Sequence, residues 1–313
     1  MKLADIKVAL SCLQKIDEKT YLCRKTGTKY EIHENEIFSC CPLTGIELEA
    51  TDFISNTTLV KHIEKLFPFV AVFNADAVIA VGRSGFLPAT LLATQMHVPM
   101  FSLNIKTNQI IDPGNGNRIE SHFGLEELPR KRCLIVDDSV AGGRTAKQVH
   151  SILRKYGFTR DNYLYMAVYG SEFSFFSIDF YGIRYPLPHF FEWNYLNAHY
   201  LPFCGCTFEG IFIDSDVRVI KQNRCQRLKF LFLEDPANES LARTMMKAGW
   251  LQNTEIVRRT GDSVTSKITA IQIHKANYFI EPDPEQAKVL AREAGIWVIC
   301  PTAEKVFTHL DAN

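Results

Sequence analysis

The stretch Cys133-Leu-Ile-Val-Asp-Asp-Ser-Val-Ala-Gly-Gly-Arg-Thr-Ala146 restricts the fold more than any other part of the chain. Four apolar residues, Cys133 to Val136, predict a strand buried on both faces, as in a parallel sheet. Asp137 and Asp138 stand at its carboxyl end. Ser139, Val140, Ala141, Gly142, Gly143, Arg144 and Thr145 then turn the chain into a helix predicted from Thr145 to about Tyr156. Open α/β sheets build their sites where strand gives way to helix. Gly142 and Gly143 let backbone N–H groups approach an anion, and a helix N-terminus adds a favourable dipole. Ser139 and Thr145 add hydroxyl donors, so the loop suits a phosphate. Two acids beside it would repel that phosphate unless they face vicinal hydroxyls or a divalent cation. A ribose 5-phosphate satisfies both halves. The competing reading is a strand–helix turn whose acids merely cap the helix.

A second stretch repeats the pattern. Ala77 to Val81 predicts another buried strand, followed by Gly82-Arg83-Ser84-Gly85 and a helix from Phe86 to about Gln95. A Gly-x-x-Gly turn alone is common, but the two turns together resemble the type I phosphoribosyltransferases. There, a hydrophobic strand, two acids and a loop rich in Gly, Ser and Thr form the signature for 5-phosphoribosyl 1-pyrophosphate (PRPP). An earlier strand ends in a turn that meets pyrophosphate.

The resemblance implies a magnesium-dependent displacement at C1 of PRPP, with pyrophosphate leaving and a nitrogen nucleophile, most simply a nucleobase, entering. Asp137 and Asp138 would hold the ribose hydroxyls, directly or through Mg2+ and water. Backbone N–H groups from Ala141 to Thr145, with the Ser139 and Thr145 side chains, would take the 5-phosphate. Gly82, Arg83, Ser84 and Gly85 would meet pyrophosphate, with the Arg83–Ser84 peptide strained or cis as in the family. One departure matters: Ala141 stands where some purine-using members carry an acid near the base. The general base then comes from elsewhere, the base is a pyrimidine, or transfer is lost. A non-catalytic PRPP or nucleotide sensor with the same fold is therefore the rival reading.

The flanking segments place these motifs in a doubly wound parallel sheet. Asn56 to Phe73 predicts a helix with Leu59, Ile63, Leu66 and Val70 on one face. Pro99 to Leu103 and Tyr163 to Tyr169 predict further strands. Between Asn104 and Lys131 the chain is polar, with Asp112-Pro-Gly-Asn-Gly-Asn-Arg118 at its centre. Such a long loop is usually functional or disordered. In the resembled family a mobile hairpin closes over the site here, and Lys106 and Arg118 are the cations it would bring.

Residues 1–55 read as a separate β-rich region, with Thr28 to Phe38 alternating as one strand. Cys23-Arg-Lys-Thr-Gly27 and Cys41-Pro-Leu-Thr-Gly45 each look like a zinc knuckle with Thr in place of the second Cys. Cys12, Cys23, His33, Cys40 and Cys41 could supply four ligands only at irregular spacing, so metal-free turns are the simpler reading. Residues 56–200 then form the phosphoribosyltransferase-like domain. The aromatics from Phe173 to Tyr200 could stack on a base, but an interdomain core is the favoured reading.

Residues 201–313 read as a second α/β unit. Phe279-Ile-Glu-Pro-Asp-Pro-Glu to Gly295 looks like the final motif region of haloacid-dehalogenase-like (HAD-like) phosphatases, with Glu281 and Asp283 at the acid positions. The matching start, Thr207-Phe-Glu-Gly210, puts Thr207 in place of the nucleophilic aspartate and Glu209 at the second acid. Asp214-Ser-Asp216 is a rival register that lacks the following Gly. The resemblance implies a degenerate, non-catalytic relative.

Composition excludes several classes. Lys plus Arg and Asp plus Glu both number 35, giving zero formal charge. A general nucleic-acid binder needs a cationic excess. Pro68, Asn74 and Asp76 break the longest apolar run, so no membrane span is predicted, and no signal peptide is legible. Nine cysteines fit a reduced cytoplasm. A homodimer stays open.

Overall fold

The long apolar runs become parallel strands. In the computed structural model of the chain, backbone alone is described for residues 13–15, 20–23, 29–33 and 36–38. Residues 52–114, 123–171, 177–185, 189–220, 225, 227–251 and 254–312 complete the described set. Four short strands, β1 (Leu13–Lys15), β2 (Thr20–Cys23), β3 (Lys29–His33) and β4 (Glu36–Phe38), form an antiparallel sheet in chain order. The single strand expected over Thr28 to Phe38 is thus two, paired with Ile32 opposite Ile37. Alternation continues through both arms and does not mark where the chain folds back. The knuckle-like turns and the side chains of Cys12, Cys23, His33, Cys40 and Cys41 lie outside the described residues.

Two compact units divide the chain. One comprises residues 1–50 and 57–187, the other 51–56 and 188–313. The expected boundaries near 55 and 200 therefore shift. The second unit takes back β5 (Phe53–Ile54), which pairs in parallel with β12 (Phe190–Phe191).

In the first unit, α1 (Asn56–Ala71) buries Leu59, Ile63, Leu66 and Val70 as predicted, together with His62. β6 (Ala77–Val81), α2 (Phe86–Met96) and β7 (Met100–Asn104) follow, then β8 (Gln109–Ile111), β9 (Cys133–Val140), α3 (Arg144–Lys155), β10 (Tyr163–Gly170) and β11 (Phe180–Arg184). The sheet order is β11-β10-β9-β6-β7-β8, parallel except for β8, which runs antiparallel to β7. Ile79, Val81, Phe101, Leu103 and Ile135 pack with Val149, Ile152 and Leu153 of α3. The polar segment from Asn104 to Lys131, where the resemblance implies a hairpin, begins as one. Ser102 pairs with Ile111 and Leu103 with Ile110, and the Ile110 side chain joins the core. Arg118 lies outside the described residues.

His62 of α1 meets the Tyr169 hydroxyl through Nδ1 at 2.8 Å. Burial, then the charge of Lys65, lowers its pKa to about 4. The unfolded chain binds this proton near the ordinary histidine value, so its contribution to stability is complete above about pH 6.5 and is lost as pH falls toward 4. A shift of this size corresponds to at most about 3 kcal/mol. His62→Gln should therefore flatten the fall in melting temperature between pH 7 and pH 5. An unchanged slope would show that His62 does not carry it.

In the second unit, β13 (Cys204–Thr207), β14 (Phe230–Leu233), α4 (Glu239–Lys247), β15 (Glu255–Arg258), α5 (Ser263–His274), β16 (Tyr278–Ile280), α6 (Pro284–Ala294), β17 (Trp297–Cys300) and β18 (Lys305–Phe307) alternate as a doubly wound sheet. Its order is β15-β14-β13-β16-β17-β18, so the winding reverses between β13 and β16. Described aromatics of the stretch are found in the cores of both units. Phe190, Tyr195 and Tyr200 join the second unit's core with Phe53, whereas Tyr181 joins the first unit's core. Phe173, Phe175 and Phe176 lie outside the described residues. Among the described residues, no helix is long and apolar enough to cross a membrane.

Candidate functional site

β6 and β9 are parallel neighbours, with Ala80 opposite Val136, so the turns that follow them leave the same edge of the sheet side by side. Gly85 brings them together. A Cβ on Gly85 would lie 2.7 Å from the Val136 carbonyl oxygen and 2.5 Å from that of Val81. Only glycine permits this approach. The Gly82 N–H donates to the Leu103 carbonyl at 3.0 Å, tying the same turn to β7. Arg83 is exposed at the tip and Ser84 is half-buried.

β9 runs four residues past the expected end at Val136, because β10 continues alongside it. Asp137 faces Ala167, Ser139 faces Tyr169, and Val140 faces Gly170. The acid pair and Ser139 therefore sit in paired strand rather than in a turn. Asp137 and Asp138 are only 5% and 3% exposed. One Asp137 carboxylate oxygen accepts the Asp138 N–H at 3.0 Å, and the other accepts the Tyr165 hydroxyl at 3.2 Å. Asp138 accepts the Ser139 N–H at 2.8 Å. Burial first, and then the adjacent Asp138 charge, pushes the Asp137 carboxyl well above the usual carboxylate range. Burial and Asp137 likewise hold the Tyr165 phenol protonated, so it stays a donor.

The loop beyond is braced from two sides. Ser171, just past β10, donates from Oγ to the Ala141 carbonyl at 3.0 Å. Gly143 precedes α3 with φ +71°, and a Cβ there would meet the Ser177 side chain at 2.5 Å. His150 of α3 reaches the Tyr163 hydroxyl at 2.7 Å through Nδ1 and the Ser177 carbonyl at 2.8 Å through Nε2. Helix α3 starts at Arg144, one residue earlier than expected, with Gly142, Arg144 and Thr145 exposed. Its open N-terminus thus points backbone donors at the sheet edge. Lys106 lies exposed in the β7–β8 turn, which Gln148 of α3 holds through the Ile105 carbonyl at 3.0 Å. Sequence reading missed Tyr165, Ser171, Gln148 and His150. Alternation along β10 carried the signal for Tyr165, since it places Tyr165 on the strand face shared with Ala167, opposite Asp137.

The donor set that the acid pair and the hydroxyl residues Ser139 and Thr145 offer along this strand and loop is all oxygen. That set fits Mg2+, which is usually held by one or two carboxylates plus phosphate oxygens of a substrate.

The second unit has its own cluster at the carboxyl ends of its strands. Thr207 donates to Glu281 at 2.7 Å. Lys267 of α5 is 0% exposed and donates to Glu281 at 2.7 Å and to Gln286 at 2.8 Å. It also pairs with Glu234. Ser263 donates to Glu234 at 2.6 Å. Glu209 accepts the N–H groups of Glu234 and Asp235 at 3.0 and 3.2 Å. Asp283 caps α6, and Asp214 accepts the N–H groups of Asp216 and Arg218 within a turn. Thr207 and Glu281 therefore meet, whereas Asp283, Asp214 and Asp216 serve local turns. Lys267 and Glu234 were not foreseen.

The geometry of the first unit defines an open α/β unit whose candidate site lies along one edge of a parallel sheet. Residues 55–160 match the family model of the phosphoribosyl transferase domain. A curated relative, the transcriptional regulator GfcR of Methanocorpusculum labreanum, is 32% identical over 126 residues. The match covers 36% of this chain and 59% of the relative's length. A purine phosphoribosyltransferase from Pyrococcus horikoshii aligns at 20% identity over 47% of this chain and 93% of its own, with a TM-score of 0.36. The xanthine-guanine-hypoxanthine phosphoribosyltransferase of Helicobacter pylori aligns at 16% identity over the same shares, with a TM-score of 0.34.

Proposed function

We propose that the first unit binds PRPP with Mg2+ and transfers its phosphoribosyl group to a nitrogen nucleophile, releasing pyrophosphate. One observation carries this reading: the acid pair runs directly into a glycine loop at a helix N-terminus, beside the Gly82–Gly85 turn of the neighbouring strand. Asp137 and Asp138 would hold the ribose hydroxyls and Mg2+, which neutralises the pyrophosphate charge when bound. The donors from Ser139 to Thr145 would take the 5-phosphate. Arg83 and Ser84 would meet pyrophosphate, with Lys106 on the adjoining hairpin. The displacement passes through an oxocarbenium-like state, so the protein contributes positioning and electrostatics.

Ala141 favours a second reading, binding without transfer, because no acid stands at that loop position. The relative named as a transcriptional regulator supports the same alternative. PRPP with Mg2+ should raise the melting temperature, since saturation at a hundredfold excess over Kd is worth about 2.7 kcal/mol. Pyrophosphate release with a panel of purine and pyrimidine bases then separates the two readings. Release with one base supports transfer, a thermal shift without release supports the sensor, and no shift removes PRPP altogether.

For the second unit we retain the reading of a degenerate HAD-like relative without turnover. Thr207 in the nucleophile position offers a hydroxyl already donated to Glu281, and Lys267 has its donors committed to Glu281, Glu234 and Gln286.

A further inference from the structure

We infer that Tyr165 is a positioning residue for the acid pair, fixing Asp137 so that the pair recognises the 2-hydroxyl of the ribose. The inference rests on the PRPP reading and assigns a role to a side chain outside both motifs. Asp137 and Asp138 are neighbours on one strand, so their side chains leave β9 toward opposite faces. Two carboxylates that must converge on one sugar therefore need a constraint besides the backbone. Asp138 receives its own from the Ser139 N–H, one residue away. For Asp137 the corresponding N–H, from Asp138, holds one oxygen, and Tyr165 holds the other at 3.2 Å. With both oxygens bound, the Asp137 carboxylate cannot turn about its terminal bond without breaking a hydrogen bond.

Tyr165 is itself immobile. It is fully buried in the core under α3 and meets the His150 ring edge-on at 5.5 Å between centroids. His150 is anchored in turn by Tyr163 and Ser177. The chain of contacts thus runs from Ser177, which packs on Gly143 of the phosphate loop, through His150 and Tyr165 to Asp137. It links the loop that would take the 5-phosphate to the acid that would meet the ribose hydroxyls. Removing one partner of a buried hydrogen bond leaves the other without its bond, so its loss should be visible in binding.

The test compares ribose 5-phosphate with 2-deoxyribose 5-phosphate by calorimetry on the full chain with Mg2+. Wild type should prefer the ribose form. Tyr165→Phe, which removes one oxygen and keeps the ring, should cut that preference about tenfold while leaving inorganic phosphate binding unchanged. In an Asp137→Asn background, adding Tyr165→Phe should cause no further loss of preference. Undiminished preference in Y165F, or an equal loss in the D137N background, would overturn the inference. Failure of wild type to bind either sugar phosphate would instead overturn the PRPP reading beneath it. Should Y165F not fold, site-specific 3-fluorotyrosine at 165, a stronger donor of nearly the same shape, must change the preference, and no change sinks the role.

Discussion

The double variant Asp137→Asn, Asp138→Asn is expected to lose the PRPP-induced rise in melting temperature completely while keeping the wild-type melting temperature without ligand. The two substitutions preserve shape, so the packing of β9 against β6 and β10 survives. Both Asn side chains can still accept the N–H groups that Asp138 and Ser139 now donate. The negative charge that the pair presents to a ligand disappears from a site that is almost wholly shielded from water, where charge interactions are weakly screened. Mg2+ held by one or two carboxylates has no comparable neutral substitute. Removing the neighbouring-carboxylate repulsion and the burial cost that raise the Asp137 pKa should even stabilise the ligand-free fold slightly. That opposite pair of outcomes, equal or higher stability with no ligand response, is what differential scanning fluorimetry should read. A ligand shift of wild-type size would remove the acids from the ribose site.

The second large effect concerns stability. Lys267→Met should destabilise the second unit by about 3–5 kcal/mol, because it strands the buried Glu281 carboxylate without its counter-charge. Glu281 is 1% exposed and, among the described residues, would keep Thr207 as its one side-chain donor. Burial already raises its pKa, with Lys267 the main opposing influence. Without Lys267 the folded-state value rises further, so the folded variant binds a proton that the unfolded chain, near 4.5, does not. Stability of the variant should therefore recover as pH falls from 7 toward 5, and the deficit against wild type should narrow. Denaturant melts at both pH values measure this, and a deficit independent of pH would contradict it. Neither chain should hydrolyse p-nitrophenyl phosphate. Turnover by wild type that vanishes in K267M would overturn the reading of a degenerate unit.

Legibility of the fold followed the range of the forces involved. β6 was read to the residue because Ala77 to Val81 is apolar throughout and buried on both faces. The buried face of α1 was equally clear from spacing alone. Local signals failed where a partner strand decided the outcome. Asp137, Asp138 and Ser139 read as a turn by residue type, yet pairing with β10 holds them extended. β13, with the sequence Cys-Gly-Cys-Thr, is too short and too mixed to announce a central strand, and half-exposed β15 shows no apolar run. Lys267 illustrates a different limit. A lysine on a helix normally marks its solvent face, and only Glu234 and Glu281, distant in sequence, make its burial tolerable.

The pairing of β5 with β12 also governs the order in which this protein can be completed as it is synthesised. Phe53 belongs to the second unit's core, yet its strand partner at Phe190 follows only after the whole segment 57–187. On the ribosome, β5 therefore waits unpaired while the parallel sheet of the first unit forms downstream of it. A fragment beginning at residue 201 would lack Phe53, Phe190, Tyr195 and Tyr200, leaving a hole where four aromatic rings belong. Residues 51–56 belong to the second unit although they lie between two segments of the first, so any dissection of the chain must cut at 50/51, 56/57 and 187/188 and rejoin each unit across its gap.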